Sequence, residues 1–342
     1  MSKTYIIGDI HGCYDEFIEL MNQIGVTDDD LVVSLGDIVD RGNKSLELYH
    51  YFKNRKNAIV LMGNHERKHL NGILSYSQEI VKVQFGDEYE EFCDWLKTLP
   101  YYYETPEAII VHAFFEHDKT LYQQKEEVLA GTTSGSRYLE TKYEEGTYWS
   151  DYYTGKKPII YGHHVVGETP KIKNNTYGID TGACHAGMLT AIELPSFKIH
   201  QVRVETDHWK AQQSAWQIPV LEAKDWEHMK IDQVYRQIDK LAYKTETEIQ
   251  EFLAKQRNWI QQIEALRIKI QSKIEILTKE LIVQHREDFN KEVAKLNYRS
   301  FVFKAKAGTL VINDLEKTLH TPQKIIDLAH ELHIENIPQR TS

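Results

Sequence analysis

Cysteine is scarce in this chain of 342 residues, which carries only Cys13, Cys93 and Cys184. An odd, sparse set without paired spacing offers no disulfide framework and argues for reduced thiols and a cytoplasmic setting. Cys13 and Cys184 lie near the glycine motifs described below, where small apolar filler is the plainer role for a thiol. Long hydrophobic runs are also missing, so no membrane-spanning segment is expected. The chain enters a strand-like run within its first few residues, so no signal peptide is expected. Nor is there an excess of positive charge: the formal net charge is −10, with −11 carried by residues 1–205 and +1 by residues 206–342. An acidic first part suits a metal site better than a surface for phosphate backbones, so nucleic-acid binding is not favoured there.

What the chain does have is a glycine motif repeated in three variants. Gly8-Asp9-Ile10-His11-Gly12 follows the apolar run Tyr5-Ile6-Ile7. Gly36-Asp37-Ile38-Val39-Asp40-Arg41-Gly42 follows Leu31 to Leu35, and Gly63-Asn64-His65-Glu66 follows Ala58 to Met62. Short runs rich in β-branched residues and ending at Gly read as buried strands. Helix-like patterns from Asp15 to Ile24 and from Lys44 to Lys53 separate them, giving a βαβαβ unit with chemistry at the carboxyl end of each strand. That end is where sites form in open α/β sheets. Carboxylate, amide oxygen and imidazole are the ligand types that hard and borderline divalent metals take.

These motifs, with Val111-His112-Ala113 and Tyr161-Gly162-His163-His164, resemble the calcineurin-like metallophosphoesterases. Within them the set looks most like the phosphoprotein phosphatase branch, which also includes the symmetrical dinucleoside tetraphosphatases and the phosphatase module of bacterial RNA-repair proteins. The resemblance covers roughly Lys3 to Ile199. It implies an α/β fold, a metallophosphoesterase β-sandwich flanked by helices, and a catalytic domain that we place at 1–205. It implies an enzyme with two divalent metal ions, held by Asp9, His11 and a bridging Asp37 on one side and by Asp37, Asn64, His112 and His163 on the other. Manganese is the expected activator, with iron and zinc as alternatives. Two such cations share and activate a water, and direct attack on phosphorus by the metal-bridging hydroxide is the implied reaction.

The same resemblance assigns Arg41 to the phosphate oxygens, in keeping with a guanidinium's bidentate fork. Asp40 orients His65, which protonates the leaving oxygen. The family supplies a second phosphate-binding Arg between the last two histidines. Arg137, the only arginine in that interval, is the candidate, with Lys142, Lys156 and Lys157 as others. Gly131 to Arg137 reads as loop. Trp149, Tyr152 and Tyr153 either wall a substrate groove or simply pack. Asp180 and His185 are candidates to orient ligands. Tyr177 to Gly182 and Met188 to Leu194 look like a hairpin closing a second sheet. The expected activity is a Ser/Thr phosphoprotein-type phosphatase; dinucleoside tetraphosphatase or RNA-end phosphatase is the alternative, and a non-catalytic binding module a more distant one. The expected partner is a phosphorylated protein or nucleotide substrate.

Residues 206–342 carry no recognised motif. Ile249, Phe252, Trp259, Ile263, Leu266, Ile270, Ile274, Leu277 and Leu281 step by threes and fours, which predicts a long helix with a heptad-like, coiled-coil seam. The expected role of this helical extension is a homodimer through the C-terminal helices, or substrate recruitment. Arg299 to Asp314 alternates and reads as a short β-hairpin. Thr321-Pro322 opens a last helix.

Overall fold

In the computed structural model, which describes residues 2–340, the runs ahead of the three glycine motifs form parallel neighbours. They are β1 (Thr4–Ile7), β2 (Leu31–Ser34) and β3 (Ala58–Val60), joined by helices α1 (Tyr14–Ile24) and α2 (Ser45–Asn54). Helices α3 (Asn64–Leu70), α4 (Tyr76–Phe85) and α5 (Tyr89–Leu96) follow. Then come β4 (Tyr102–Glu104), β5 (Ile109–Val111), the short helices α6 (Glu126–Leu129) and α7 (Thr133–Glu140), and β6 (Ile159–Tyr161). The strands β7 (Lys171–Lys173), β8 (Thr176–Gly178), β9 (Met188–Leu194) and β10 (Lys198–Arg203) complete two five-stranded sheets, ordered β10-β9-β1-β2-β3 and β4-β5-β6-β8-β7.

The apolar runs are continuous because both faces of these strands are buried. On β1, Tyr5 and Ile7 pack outward with Phe17, Leu20 and Leu48 of α1 and α2, while Ile6 points the other way. On β6, Ile159 and Tyr161 join a core with Leu129, Leu139 and Trp149, while Ile160 points inward. Ile6, Val33, Ile110, Ile160 and Ile192 of the two sheets meet in a common core. The result is a β-sandwich flanked by helices. Helix α8 (His208–Ala215) belongs to the same compact unit, which runs to Trp216. Its His208 imidazole meets the Glu16 carboxylate of α1 at 2.8 Å.

Two local readings are corrected here. The strands at 176–178 and 188–194 are not a hairpin: β8 pairs with β6 in one sheet, β9 pairs with β1 in the other, and the chain crosses between sheets over Asp180–Gly187. β8 forms a hairpin with the preceding β7, and β9 with the following β10. Residues 133–137 are helix rather than loop, because the Thr132 hydroxyl caps α7 by accepting from the Gly135 amide at 3.1 Å.

The second compact unit spans Gln217–Ser342. Its axis is a helix of 39 residues, α11 (Thr247–His285), preceded by α9 (Gln217–Ala223) and α10 (Ile231–Lys240). The helices α12 (Phe289–Val293), α13 (Arg299–Lys306), α14 (Ile312–Thr318) and α15 (Pro322–Glu331) follow. The apolar seam packs against α10, α13, α14 and α15 rather than along a single partner helix, and Ile263, Ile270 and Ile274 are fully buried there. The hairpin expected at 299–314 is a pair of helices. Phe301 and Ala305, which looked like alternate strand positions, are four apart and share one helical face. Thr321 caps α15 with Pro322 at its first position. Among the described residues no helix is long and apolar enough to cross a membrane.

Candidate active site

Every candidate ligand sits just beyond the carboxyl end of a strand. Asp9 and His11 follow β1, Asp37, Asp40 and Arg41 follow β2, and Asn64 and His65 open α3 after β3. His112 follows β5 and His163 follows β6. Five of these residues hold a left-handed backbone: His11 (φ 48°), Asp37 (49°), Asp40 (71°), Arg41 (67°) and His163 (72°). Such conformations are costly for residues with a Cβ and persist only where the surroundings enforce them. Glu66 does much of the enforcing. Its fully buried carboxylate accepts the backbone N–H groups of Asp37 (2.8 Å), Ile38 (2.9 Å) and Gly63 (3.2 Å), tying two motif turns together. The glycines leave space for the acids. A Cβ on Gly162 would stand 2.1 Å from Asp9 Oδ1, and one on Gly63 2.2 Å from Asp37 Oδ1.

The donors converge on Asp37. Its Oδ2 lies 3.6 Å from His11 Nε2 and its Oδ1 lies 3.6 Å from His112 Nε2. Two groups with donor atoms all within 4.8 Å of one another share this residue, His11–Asp37–His65 and Asp37–His112–His163. Asn64 Oδ1 completes the second group at 3.2 Å from His112 Nε2 and 3.0 Å from His163 Nδ1. Asp9 belongs to neither group, but its carboxylate accepts the His163 backbone N–H at 3.1 Å.

The imidazoles are set for coordination. His11 Nδ1 donates to the Val39 carbonyl at 2.9 Å and His112 Nδ1 donates to the Leu35 carbonyl at 3.0 Å. Each bond fixes the tautomer that leaves a bare Nε2 lone pair facing the donors. Burial pushes both imidazoles below their ordinary pKa and favours that neutral form. The bare Nε2 of His112 and the carbonyl oxygen of Asn64 therefore face each other at 3.2 Å as two acceptors with no proton between them. Burial, then Asp180 and Asp37, push the Asp9 carboxyl well up. Burial and Asp37 push Asp180 to about 6, against the Gly182 N–H it accepts. Paired acceptors and crowded buried carboxylates are what cations would neutralise, so these residues fit divalent metals.

His65 is held differently. Its Nδ1 bonds Asp40 Oδ2 at 2.5 Å and its Nε2 lies 3.1 Å from Arg41 Nη2. Asp40 is fully buried and also takes the imidazole of His69 at 3.0 Å and the Gln78 amide; His69 in turn meets the Tyr89 hydroxyl at 2.9 Å. Burial works to raise the Asp40 carboxyl, but His69 and His65 outweigh it and hold the group well below the usual carboxylate range. Arg41 Nη1 lies 4.0 Å from Cys184 Sγ.

A profile described as calcineurin-like phosphoesterase matches residues 2–199. The chain belongs to the calcineurin-like phosphoesterase family. This phosphoesterase is 33% identical over 235 residues to the asymmetrical bis(5′-nucleosyl)-tetraphosphatase PrpE of Halalkalibacterium halodurans, a match covering 56% of this chain and 90% of that one. It is 30% identical over 224 residues to the protein of the same name from Bacillus subtilis, covering 56% and 91%. A protein serine/threonine phosphatase structure from Saccharomyces cerevisiae aligns at 15% identity and a TM-score of 0.45, covering 60% of this chain and 80% of that one.

Within the phosphoesterase the structure brings together Asp37, His11, His65, Asn64, His112 and His163, with Asp40 and Arg41 on His65. Arg137 is not brought in. It lies on the exposed face of α7, opposite Gly135 and Leu139, and does not line the cavity beside Asn64 and His163. Arg67 and Lys68 of α3 line that cavity instead. His185 is exposed, with Nδ1 3.9 Å from Asp207. Glu66, His69 and Gln78 escaped sequence reasoning. His69 stands four residues after His65, and that spacing places both on one helix face.

Proposed function

We propose that this phosphoesterase is a dinuclear-metal hydrolase whose substrate is a dinucleoside tetraphosphate. The observation that carries the reading is the distribution of cations around the donors. Arg41 lies against His65, whereas Arg67 and Lys68 line a separate cavity of about 560 Å³ reaching Asn64 and His163. Cations in two places suit a chain of phosphates that runs from the donors into a second basic cavity. The relatives at 30–33% identity, matched over some nine-tenths of their own length, carry a tetraphosphatase name. The GDIVDRG and GNHE motifs occur in phosphoprotein phosphatases as well, so they favour neither substrate.

Asp9, His11, Asp37, Asn64, His112 and His163 would hold two divalent cations, with manganese the first choice. When bound, the metals supply Lewis acidity toward the phosphoryl oxygens and activate water for attack on phosphorus. His65 donates through Nδ1 to Asp40, so its Nε2 accepts from Arg41. When Arg41 turns to the phosphate oxygens, Nε2 is freed to take a proton and pass it to the leaving oxygen, while the fixed Asp40 carboxylate balances the charge. His69 and Gln78 keep that carboxylate in place.

The test is a panel of diadenosine tetraphosphate, a phosphoserine peptide and an RNA 2′,3′-cyclic phosphate, offered to the manganese-loaded chain. The reading expects the tetraphosphate to be cleaved with the highest kcat/KM. Preference for the phosphopeptide would replace it with the protein phosphatase reading.

A further inference from the structure

Next to the basic cavity lies a second one of about 540 Å³ with a different lining. Its walls are rings: Phe114, Tyr143, Tyr148, Trp149 and His164. Phe114 also stands edge-on to the imidazole of His163, with ring centres 5.3 Å apart, so the aromatic wall begins at the metal donors. Ser136 lines both cavities, which therefore adjoin. The rim of the aromatic cavity carries Glu140, Glu144 and Glu145, all exposed, whereas the basic cavity carries Arg67 and Lys68. The size is that of a small-ligand pocket.

This charge arrangement sorts the two ends of a nucleotide. Three carboxylates repel phosphates, which are drawn to the arginine, the lysine and the metal donors. The uncharged end meets the half-buried rings of Tyr143 and Tyr148 and the exposed ring of His164, in front of the buried Phe114 and Trp149, and ring stacking is a strong term for any base. Carboxylates accept hydrogen bonds from the exocyclic amines of bases, as from the N6 amine of adenine or the N2 amine of guanine. We propose that the cavity walled by Phe114, Tyr143, Tyr148, Trp149 and His164 seats a nucleobase bearing an exocyclic amine, belonging to a nucleotide whose phosphates run past Ser136 to Asn64 and His163. This inference rests on the polyphosphate reading above and adds to it the half of the substrate that is not phosphate.

The experiment uses the full, manganese-loaded chain with diadenosine tetraphosphate, diuridine tetraphosphate and p-nitrophenyl phosphate. The parent should favour the adenosine compound over the uridine compound by about tenfold in kcat/KM. Glu140→Trp, an exposed position near the end of α7, fills the cavity away from the donors. It should raise KM for the adenosine compound about tenfold and leave p-nitrophenyl phosphate kinetics within about twofold. The double variant Glu144→Gln, Glu145→Gln should narrow the adenosine-over-uridine preference. Equal rates for the two tetraphosphates in the parent overturn the base pocket and leave the polyphosphate reading standing. An unchanged KM in Glu140→Trp, or an unchanged preference in the double variant, does the same. If Glu140→Trp slows p-nitrophenyl phosphate as much as the tetraphosphate, the cavity is not separable from the reaction centre and the assignment falls. Cleavage of p-nitrophenyl phosphate with no cleavage of either tetraphosphate removes the polyphosphate reading itself.

Discussion

Replacing Glu66 with glutamine tests how the site is held together. The carboxylate has no exposed surface and accepts three backbone N–H groups, Oε2 from Asp37 (2.8 Å) and Gly63 (3.2 Å), and Oε1 from Ile38 (2.9 Å). Burial and the Asp37 carboxylate push Glu66 upward, and the bonds from Asp37 and Ile38 oppose that shift. Glutamine keeps one acceptor and turns the other into an NH₂ group facing an N–H donor. At least one bond to a charged acceptor is lost, at about 1.5–3 kcal/mol, and one buried donor is left unsatisfied, at about 1–3 kcal/mol. Relaxation shares part of this, so a loss of about 3 kcal/mol is expected in Glu66→Gln. For a unit of about 200 residues that lowers the midpoint of thermal unfolding by about 6–12 °C. The bonds are to backbone, so the loss should appear with and without metal. Asp37 would lose its anchor, and a misplacement on the order of 1 Å at the reacting groups costs about 10²-fold in rate. The assays are thermal unfolding by circular dichroism and steady-state hydrolysis of p-nitrophenyl phosphate. A Glu66→Gln protein melting within 1 °C of the parent, with unchanged kcat/KM, would refute the view that this carboxylate sets the motif turns.

Other consequences follow from the same contacts. Gly162→Ala places a Cβ 2.1 Å from Asp9 Oδ1 and should weaken metal binding by about 10–100-fold, read by titration with manganese. Asp40→Asn removes the charge and one of the two acceptors that hold His65 and His69, and should lower kcat by about 10²–10⁴-fold, most for alkyl phosphates, with metal content unchanged. Equal losses on aryl and alkyl esters would argue against proton delivery by His65. The Glu16–His208 pair gives a pH signature. The hydrogen bond to His208 holds Glu16 below the ordinary carboxyl value of 4.5, and the bond to Glu16 holds His208 above the ordinary imidazole value of 6.5. The Glu16 contribution is lost as pH falls through its lowered pKa, and the His208 contribution is lost as pH rises through its raised one, so the pair is fully effective between about pH 4.5 and 6.5. His208→Ala should cost about 1 kcal/mol in urea unfolding at pH 6 and measurably less at pH 8.5; the same cost at both would show that packing alone is at stake.

The first sheet and most of the candidate site are legible in the sequence because strands buried on both faces leave unbroken apolar runs. Each run here ends in a glycine turn that exposes a polar cluster. The candidate ligands at 9, 11, 37, 64, 112 and 163 stand out by type and by place after a strand. Glu66 and His69 are harder to read, because their partners are backbone amides and a buried carboxylate supplied by a distant turn. Helix α7 is disguised by Thr133, Ser134 and Gly135, poor helix formers whose turn is held by the Thr132 cap and by packing of Gly135 close to Glu127. Strand β9 follows β8 closely and so resembles a hairpin partner, but it pairs with β1 and β10 across the sandwich. In the helical unit the Phe301, Phe303, Ala305 alternation is too short to separate period two from a helical face. Arg137 drew its candidacy from being the lone arginine in its interval, while the cations that line the cavity, Arg67 and Lys68, follow a motif already assigned to metal.

Metal counting on the parent and on Asp37→Asn tests the central claim most directly. After manganese loading and desalting, the parent should retain two ions per chain. Asp37 is shared by both donor groups, so Asp37→Asn should lose affinity for both and lose nearly all hydrolysis of p-nitrophenyl phosphate. A parent that retains no ion at saturating manganese, or an Asp37→Asn protein that keeps two with undiminished turnover, would contradict a paired-cation site built on Asp37.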